Sequence, residues 1–173
     1  MNTGKINEIE NRLREYEERL SKLESAFQSR PLSEDIASGR NKELAKRINV
    51  DEEKLNQLLD KLFHIEKENI LTVIEPSEKL GKNDKERTKN ITLLTLLGYK
   101  YFFGKDEIFS QEIRRNVAEN NVPLNNFGSY LNELVPSFIR RKGKLKSPKT
   151  TYKLTVLGKS KARELIKKLC GKN

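Results

Sequence analysis

Hydrophobic residues recur at alternating three- and four-residue spacings near the start of the chain. The positions are Ile6, Ile9, Leu13, Tyr16, Leu20, Leu23 and Phe27. This spacing is typical of a coiled coil. With Ile6 at heptad position a, basic g residues face acidic e residues of a parallel partner helix. The pairs are Lys5–Glu10, Arg12–Glu17 and Arg19–Glu24. We therefore expect residues 1–29 to form an oligomerisation helix, with a parallel homodimer as the first hypothesis. An amphipathic helix packed on its own domain is the alternative.

A helix-turn-helix spacing follows in residues 43–62. Its apolar positions are Leu44, Ala45 and Ile48, then Leu55, Leu58 and Leu59, on either side of a turn at residues 49–50. The second helix opens with residues 51–53, all carboxylates. Carboxylates favour a helix start but repel DNA phosphates, so we interpret this unit as structural. The sequence "NILTVIE", residues 69–75, predicts a short strand. We expect a helical unit over residues 30–80, with His64 half-buried in its packing.

The segment 76–90 is polar, contains Pro and Gly, and predicts a domain boundary. Beyond it the pattern predicts a helix over 90–103 ended by Gly104, and a second over 110–121 with Ser110 as its N-cap. A third helix runs to Pro136, with apolar positions Leu124, Phe127, Leu131 and Leu134. Residues 137–143 and 150–155 predict two strands joined by a basic loop, and a last helix covers about 157–169.

The order of these elements and one local motif carry a resemblance. The sequence "TYKLTVLGKSKARELI" resembles the Y-x-L-T-x-x-G-x-x-x-A close of the wing in the winged helix-turn-helix DNA-binding superfamily, over about residues 88–170. The resemblance implies that Tyr152 and Leu154 enter the core and that Thr155 caps the last helix. It implies that Gly158 and Ala162 let that helix pack closely. Many members have Pro where this chain has Val156.

The expected fold class is therefore mainly α with a small β-hairpin. It comprises an N-terminal coiled-coil helix, a small helix-turn-helix-like middle unit and a winged helix over residues 88–173. The resemblance further implies that the third helix enters the major groove and that the wing follows the backbone or minor groove.

Charge is concentrated in the same C-terminal segment. The chain carries a net charge of +10, and residues 140–163 contain ten Lys or Arg with no Asp or Glu. Clustered basic charge predicts a polyanionic partner. The predicted DNA-binding cations are Arg140, Arg141, Lys142, Lys144, Lys146, Lys149 and Lys153. The predicted polar contacts of the third helix are Asn125, Asn126, Ser129, Tyr130 and Asn132. Because this helix has no Lys or Arg, we expect affinity to come from the wing and modest specificity from the helix. Glu133 either accepts from a cytosine or is a solvated helix residue.

The sequence gives little support to a zinc site, a phosphate-binding loop or a membrane span. One cysteine, Cys170, and one histidine cannot build a zinc site of those ligand types, and the lone cysteine favours a reducing compartment. The "GKS" at 158–160 lacks the earlier glycine of a phosphate-binding loop. The longest nearly apolar run, residues 91–98, is too short to span a bilayer. We expect a soluble cytoplasmic protein that is not an enzyme and uses no metal or cofactor.

The sequence thus predicts a protein that binds double-stranded DNA, as a transcriptional regulator or a DNA-organising accessory. Two alternatives stay open. The first is a winged-helix and coiled-coil adaptor that binds other proteins. The second is RNA binding, because a basic wing alone does not distinguish DNA from RNA.

Overall fold

A computed structural model of the protein describes residues 34–66, 70–73, 77–144, 147 and 149–171. The predicted oligomerisation helix, with its stripe from Ile6 to Phe27, lies outside the described residues, as does Lys146. The first two helices are α1, Glu34–Ile48, and α2, Glu52–Leu62. The turn between them contains Asn49 at a φ of 54°, a left-handed conformation that Asn tolerates. Asp51 caps α2 by accepting a hydrogen bond from the Lys54 amide at 3.1 Å.

A two-stranded antiparallel sheet follows α2. Strand β1, Phe63–Glu66, pairs with β2, Ile70–Val73, and His64 lies opposite Thr72. The predicted strand within residues 69–75 is confirmed, whereas β1 was not predicted. The expectation that His64 is half-buried is wrong. Successive side chains of a strand point to opposite faces, and buried Phe63 therefore leaves His64 exposed.

A short helix α3, Ser77–Leu80, leads to the long helix α4, Asp84–Phe103. Helix α4 begins earlier than predicted, because the Asn83 side chain caps it by accepting from the Glu86 amide at 2.9 Å. It ends at Gly104, as predicted, where φ is +69°. Every residue from 91 to 99 is buried, so α4 is the central helix of the core.

Three further elements precede the hairpin: strand β3, Ile108–Phe109, helix α5, Ser110–Glu119, and helix α6, Phe127–Leu134. The prediction of Ser110 as an N-cap is wrong. Phe109 holds that position without a side-chain cap, because the chain leaves β3 directly into α5 and the Ser110 amide bonds the Thr150 carbonyl at 2.9 Å. Helix α6 is shorter than predicted, since Leu124 forms a turn in which its carbonyl accepts from the Phe127 amide.

The C-terminal hairpin consists of β4, Ile139–Lys142, and β5, Thr151–Leu154, followed by helix α7, Val156–Cys170. The antiparallel sheet has the strand order β3-β5-β4. Tyr152 and Leu154 are buried, and the Thr155 hydroxyl caps α7 by accepting from the Gly158 amide at 3.0 Å. The predicted burial and cap are confirmed, as is the coarse fold class of a mainly helical protein with a small antiparallel sheet.

One cluster of buried residues draws on α1, α2, β2 and the elements from α4 to α7. Residues 41–173 form one compact unit, and residues on both sides of the predicted boundary segment 76–90 contribute to the same core. Two buried asparagines, one in α5 and one directly after it, connect the α5 segment to β2. Asn116 accepts from the Val73 amide at 2.6 Å, and Asn120 donates to the Val73 carbonyl at 2.5 Å. Both backbone groups of this β2 residue are thereby satisfied.

Candidate nucleic-acid interface

Helix α6 presents two chemically different faces. Phe127, Leu131 and Leu134 are buried, which orients the helix against the core. The residues turned to solvent on and just before the helix are Asn125, Asn126, Ser129 and Asn132. Tyr130 is half-buried, and its hydroxyl lies 3.4 Å from the Asn126 amide nitrogen. Four of the five predicted polar contacts therefore lie on the exposed side, and Tyr130 lies at its edge.

A cleft of about 720 Å³ separates α6, the start of α5 and the β4–β5 hairpin. Its lining residues include Gln111, Arg114, Asn126, Ser129, Asn132 and Ser147. Gln111 and Arg114 were missed in the sequence. The helical phase of α5 carries part of the signal, because buried Ile113 and Val117 leave both residues on the outer side. That this side of α5 meets the polar face of α6 depends on how the helices pack.

Arg141 connects the hairpin to α6. Its Nη1 donates a hydrogen bond to Asn132 Oδ1 at 2.9 Å. It lies opposite Tyr152 in the β4–β5 register, and the Tyr152 ring lines the same cleft. Burial raises the pKa of the Tyr152 phenol, and the charge and hydrogen bond of Arg141 oppose part of that rise. The guanidinium is thus held beside the polar residues of α6. We define the α6 face as residues Gln111, Arg114, Asn125, Asn126, Ser129, Asn132 and Arg141.

The other predicted cations of the two strands lie on the opposite side of the sheet. Arg140 and Lys142 flank Arg141 on β4, and the register pairs them with Lys153 and Thr151. Because successive side chains alternate between the two faces of a strand, these residues point away from the side that carries Arg141 and buried Tyr152. The predicted set of wing cations is therefore divided between two surfaces.

Hydrogen bonds join the described residues of the loop between β4 and β5. Gly143 has a φ of +103°, and the Lys144 carbonyl accepts from the Ser147 amide at 3.1 Å and from the Thr150 hydroxyl. The Thr150 amide bonds the Ser147 carbonyl at 3.0 Å. Lys144 and Lys149 are exposed in this loop. The turns hold their backbone in place, while their side chains extend into solvent.

Glu133 is held against α4. Its Oε2 lies 2.8 Å from Lys85 Nζ and 2.6 Å from Lys89 Nζ, and these two hydrogen bonds lower the pKa of Glu133. Of the two interpretations left open by the sequence, the ion pairs favour a surface helix residue over one that projects to a base. This carboxylate does not line the cleft, and it offsets positive charge beside α6.

The described part of the chain offers neither a cluster of metal ligands nor a membrane-spanning helix. No three His, Cys, Asp or Glu side chains in the described ranges are grouped so that they could hold a metal ion. None of the helices described combines the length and apolar composition that crossing a bilayer requires.

Comparison of the chain with protein-family models, with curated proteins and with solved structures finds no match.

Proposed function

We propose that residues 84–171 form a winged helix-turn-helix module that binds double-stranded DNA, in a transcriptional regulator or a DNA-organising accessory. The observation that carries the proposal is the α6 face, in which the exposed polar side chains on and just before one short helix share a cleft with Arg114, and Arg141 donates a hydrogen bond to one of them, Asn132. The order helix, strand, helix, helix, hairpin, helix also supports it. We further propose that two copies of the chain associate, which the heptad spacing of the apolar residues from Ile6 to Phe27 supports.

Different residues at the cleft are suited to sequence specificity and to affinity. Asn125, Asn126 and Ser129 offer donors and acceptors suited to base edges in a major groove. Arg114, Arg141 and the loop lysines Lys144 and Lys149 offer charges for phosphates. Helix α6 has no Lys or Arg, so it lacks the bidentate contact to guanine. We expect strong salt dependence with modest preference for sequence.

The first prediction concerns removal of three cations of this interface, as Arg114→Gln, Arg141→Gln and Lys144→Gln together. Each phosphate contact contributes about 0.9 to the slope of log affinity against log salt, so the slope should flatten by about 2.7. Raising the salt from about 50 to about 200 mM should weaken duplex binding in both proteins. The fold-loss of affinity should be about 40 times larger for the wild type than for the variant. Fluorescence anisotropy with a labelled duplex measures both slopes.

A matched control removes the same charge elsewhere. Lys42, Lys46 and Lys61 are exposed, and replacing all three with Gln should leave the slope within about one contact of the wild type. Equal flattening in both triple variants would show that only net charge matters and would contradict the assignment of the α6 face. Absence of duplex binding at low salt would leave the protein adaptor, and tighter binding to RNA of the same sequence would favour the RNA alternative.

The second prediction concerns Glu133→Gln. Because the substitution removes a negative charge beside α6 and frees Lys85 and Lys89, duplex affinity should rise about twofold at low salt. Glu164→Gln is the control, since Glu164 is an exposed carboxylate that pairs with Lys161 on α7. A fall in affinity of the Glu133 variant, confined to duplexes with one particular base pair, would show instead that Glu133 accepts from a base.

A further inference from the structure

The sheet carries a second basic surface on the side away from the α6 face. The strand order and register place two rows of side chains across β3, β5 and β4. One row is Phe109, Thr151 and Lys142, and the other is Lys153 and Arg140. Glu107, just before β3, lies next to Lys153. Lys142 is 80% exposed and Lys153 46% exposed. A shallow depression of about 250 Å³ is lined by both, by Glu107, Arg140 and Thr151, and also by Arg141 and Tyr152 between them on the strands.

Glu107 only partly offsets these charges. Its carboxylate lies 3.6 Å from Lys142 Nζ and 3.8 Å from Lys153 Nζ, and it accepts from the Thr151 hydroxyl at 3.2 Å. One carboxylate is thus shared between two lysines at distances longer than a good hydrogen bond. With Arg140 beside them, the surface keeps a net positive charge.

More cations continue this surface at the corner where α4 ends and α7 begins. Asp106 pairs with Lys100, and the charges of Lys159 and Lys153 also act on it; together they lower the pKa of Asp106, with the Lys100 hydrogen bond as the largest cause. Partial burial, followed by the charge of Lys100, lowers the pKa of Lys159. Asp106 balances only one of the three positive charges of Lys100, Lys153 and Lys159, so an anion bound here would lower their mutual repulsion. We define the outer basic surface as Arg140, Lys142, Lys153, Lys100 and Lys159.

The composition of this surface indicates the kind of partner. Protein interfaces draw most of their affinity from a few central, fully buried residues, chiefly Trp, Tyr and Arg. The large apolar residues that the described chain exposes here are Phe109 at the edge of the sheet, 53% exposed, and Val156 and Leu157 in the first turn of α7, 83% and 61% exposed. None of them lies between Arg140, Lys142 and Lys153 at the centre of the surface. A nucleic-acid backbone needs only spaced cations. The charge and lack of a central apolar anchor therefore fit a phosphate backbone better than an acidic protein.

From this arrangement we infer that the outer basic surface binds a second duplex segment, so that one chain holds two segments on opposite sides of its sheet. The inference rests on the proposed function of the α6 face. A duplex that lies along α6 is on the wrong side of the sheet to meet Arg140 and Lys153, because their side chains point the other way. The protein would then bridge DNA, which is the behaviour of a DNA-organising accessory.

The test counts duplexes bound per chain of the full-length protein. Labelled duplex of about 15 base pairs, roughly one and a half turns, is titrated at low salt and followed by sedimentation velocity. The outer variant is Arg140→Gln, Lys153→Gln and Lys159→Gln together. The comparison variants are the Arg114, Arg141 and Lys144 triple, called the α6-face variant, and the Lys42, Lys46 and Lys61 triple. Thermal unfolding of each variant shows that it is folded.

We expect two duplexes per chain for the wild type and for the Lys42, Lys46 and Lys61 variant. We expect one for the outer variant, with the affinity of the remaining duplex unchanged within about twofold. A dimer whose two α6 faces share one duplex would hold half a duplex per chain there, so the deciding quantity is the drop in bound duplex per chain from the wild type to the outer variant.

Three results would overturn the inference. One is a single duplex per wild-type chain whose affinity depends on the α6 face alone, which leaves the proposed function intact. Another is an equal loss of the first duplex in the outer and α6-face variants, which would make both surfaces one interface. The third is displacement of only the second duplex by polyglutamate of equal charge concentration, which would assign the surface to an acidic protein. No duplex binding by the wild type would refute the proposed function as well.

Discussion

Gly158→Ala is expected to destabilise the protein by more than about 3 kcal/mol, because an added methyl group has no space. A Cβ at this position would lie 1.9 Å from the Phe138 carbonyl oxygen and 3.1 Å from Leu154 Cδ2. The Phe138 oxygen cannot easily retreat, since it accepts from the Thr155 amide at 3.0 Å and from the Thr155 hydroxyl at 3.1 Å. Urea unfolding followed by circular dichroism measures the change in the free energy of unfolding.

Gly128→Ala is the matched control for this substitution. Gly128 is exposed in α6, and a Cβ there meets no atom within 4 Å outside its own helix and chain neighbours. Because Ala favours a helix over Gly, the control should be neutral or stabilise the protein by up to about 1 kcal/mol. A Gly158→Ala protein within about 1 kcal/mol of the wild type would contradict the close approach of α7 to the chain before β4.

Asn116→Ala should destabilise the protein by about 3 kcal/mol, since it removes a buried hydrogen-bond partner and leaves space behind. Asn116 is fully buried, and its side chain accepts from the Val73 amide at 2.6 Å and donates to the Glu112 carbonyl at 3.1 Å. Without it, the Val73 amide is buried with its acceptor gone. The measurement is again urea unfolding, and Gln57→Ala, an exposed substitution on α2, should change the free energy by less than about 0.5 kcal/mol.

A double-mutant cycle tests whether the two asparagines act together. Asn116 accepts from the Val73 amide and Asn120 donates to the Val73 carbonyl, so both side chains hold the same residue. The loss in the Asn116→Ala, Asn120→Ala protein should therefore differ from the sum of the single losses by at least about 0.5 kcal/mol. Strict additivity would show that Val73 is not held by the pair as one unit.

Several local features were predictable because the residues that cause them are close in the sequence. Thr155 precedes the helix that it caps, and Gly104 takes the left-handed conformation that ends α4. The wrong predictions concern residues whose surroundings depend on segments far away in the sequence. Ser110 resembles a cap, but pairing of β3 with β5 uses its amide for the Thr150 carbonyl. His64 looked like a packing residue, but pairing of β1 with β2 turns it outward.

The candidate site likewise has features that local rules predict and features that they do not. Alternation along a strand separates Arg140 from Arg141 once β4 is known, and helical phase exposes Arg114. Neither rule tells which exposed surfaces meet. The hydrogen bond between Arg141 and Asn132, and the ion pairs of Glu133 with Lys85 and Lys89, join elements that are far apart in the chain.

The helices and the hairpin of the C-terminal half, the cap at Thr155 and the concentration of charge after residue 140 could be obtained from the amino-acid sequence, because hydrophobic periodicity and capping act within a few residues. The strands β1 and β3 could not, since they form by pairing with other segments. Only the tertiary structure decided that Gln111 and Arg114 share a cleft with α6 and that the basic hairpin has two separate charged surfaces. Those contacts follow from how the buried faces of α4, α5 and α7 and the small sheet fit together, which is a sum over many residues distant in the chain.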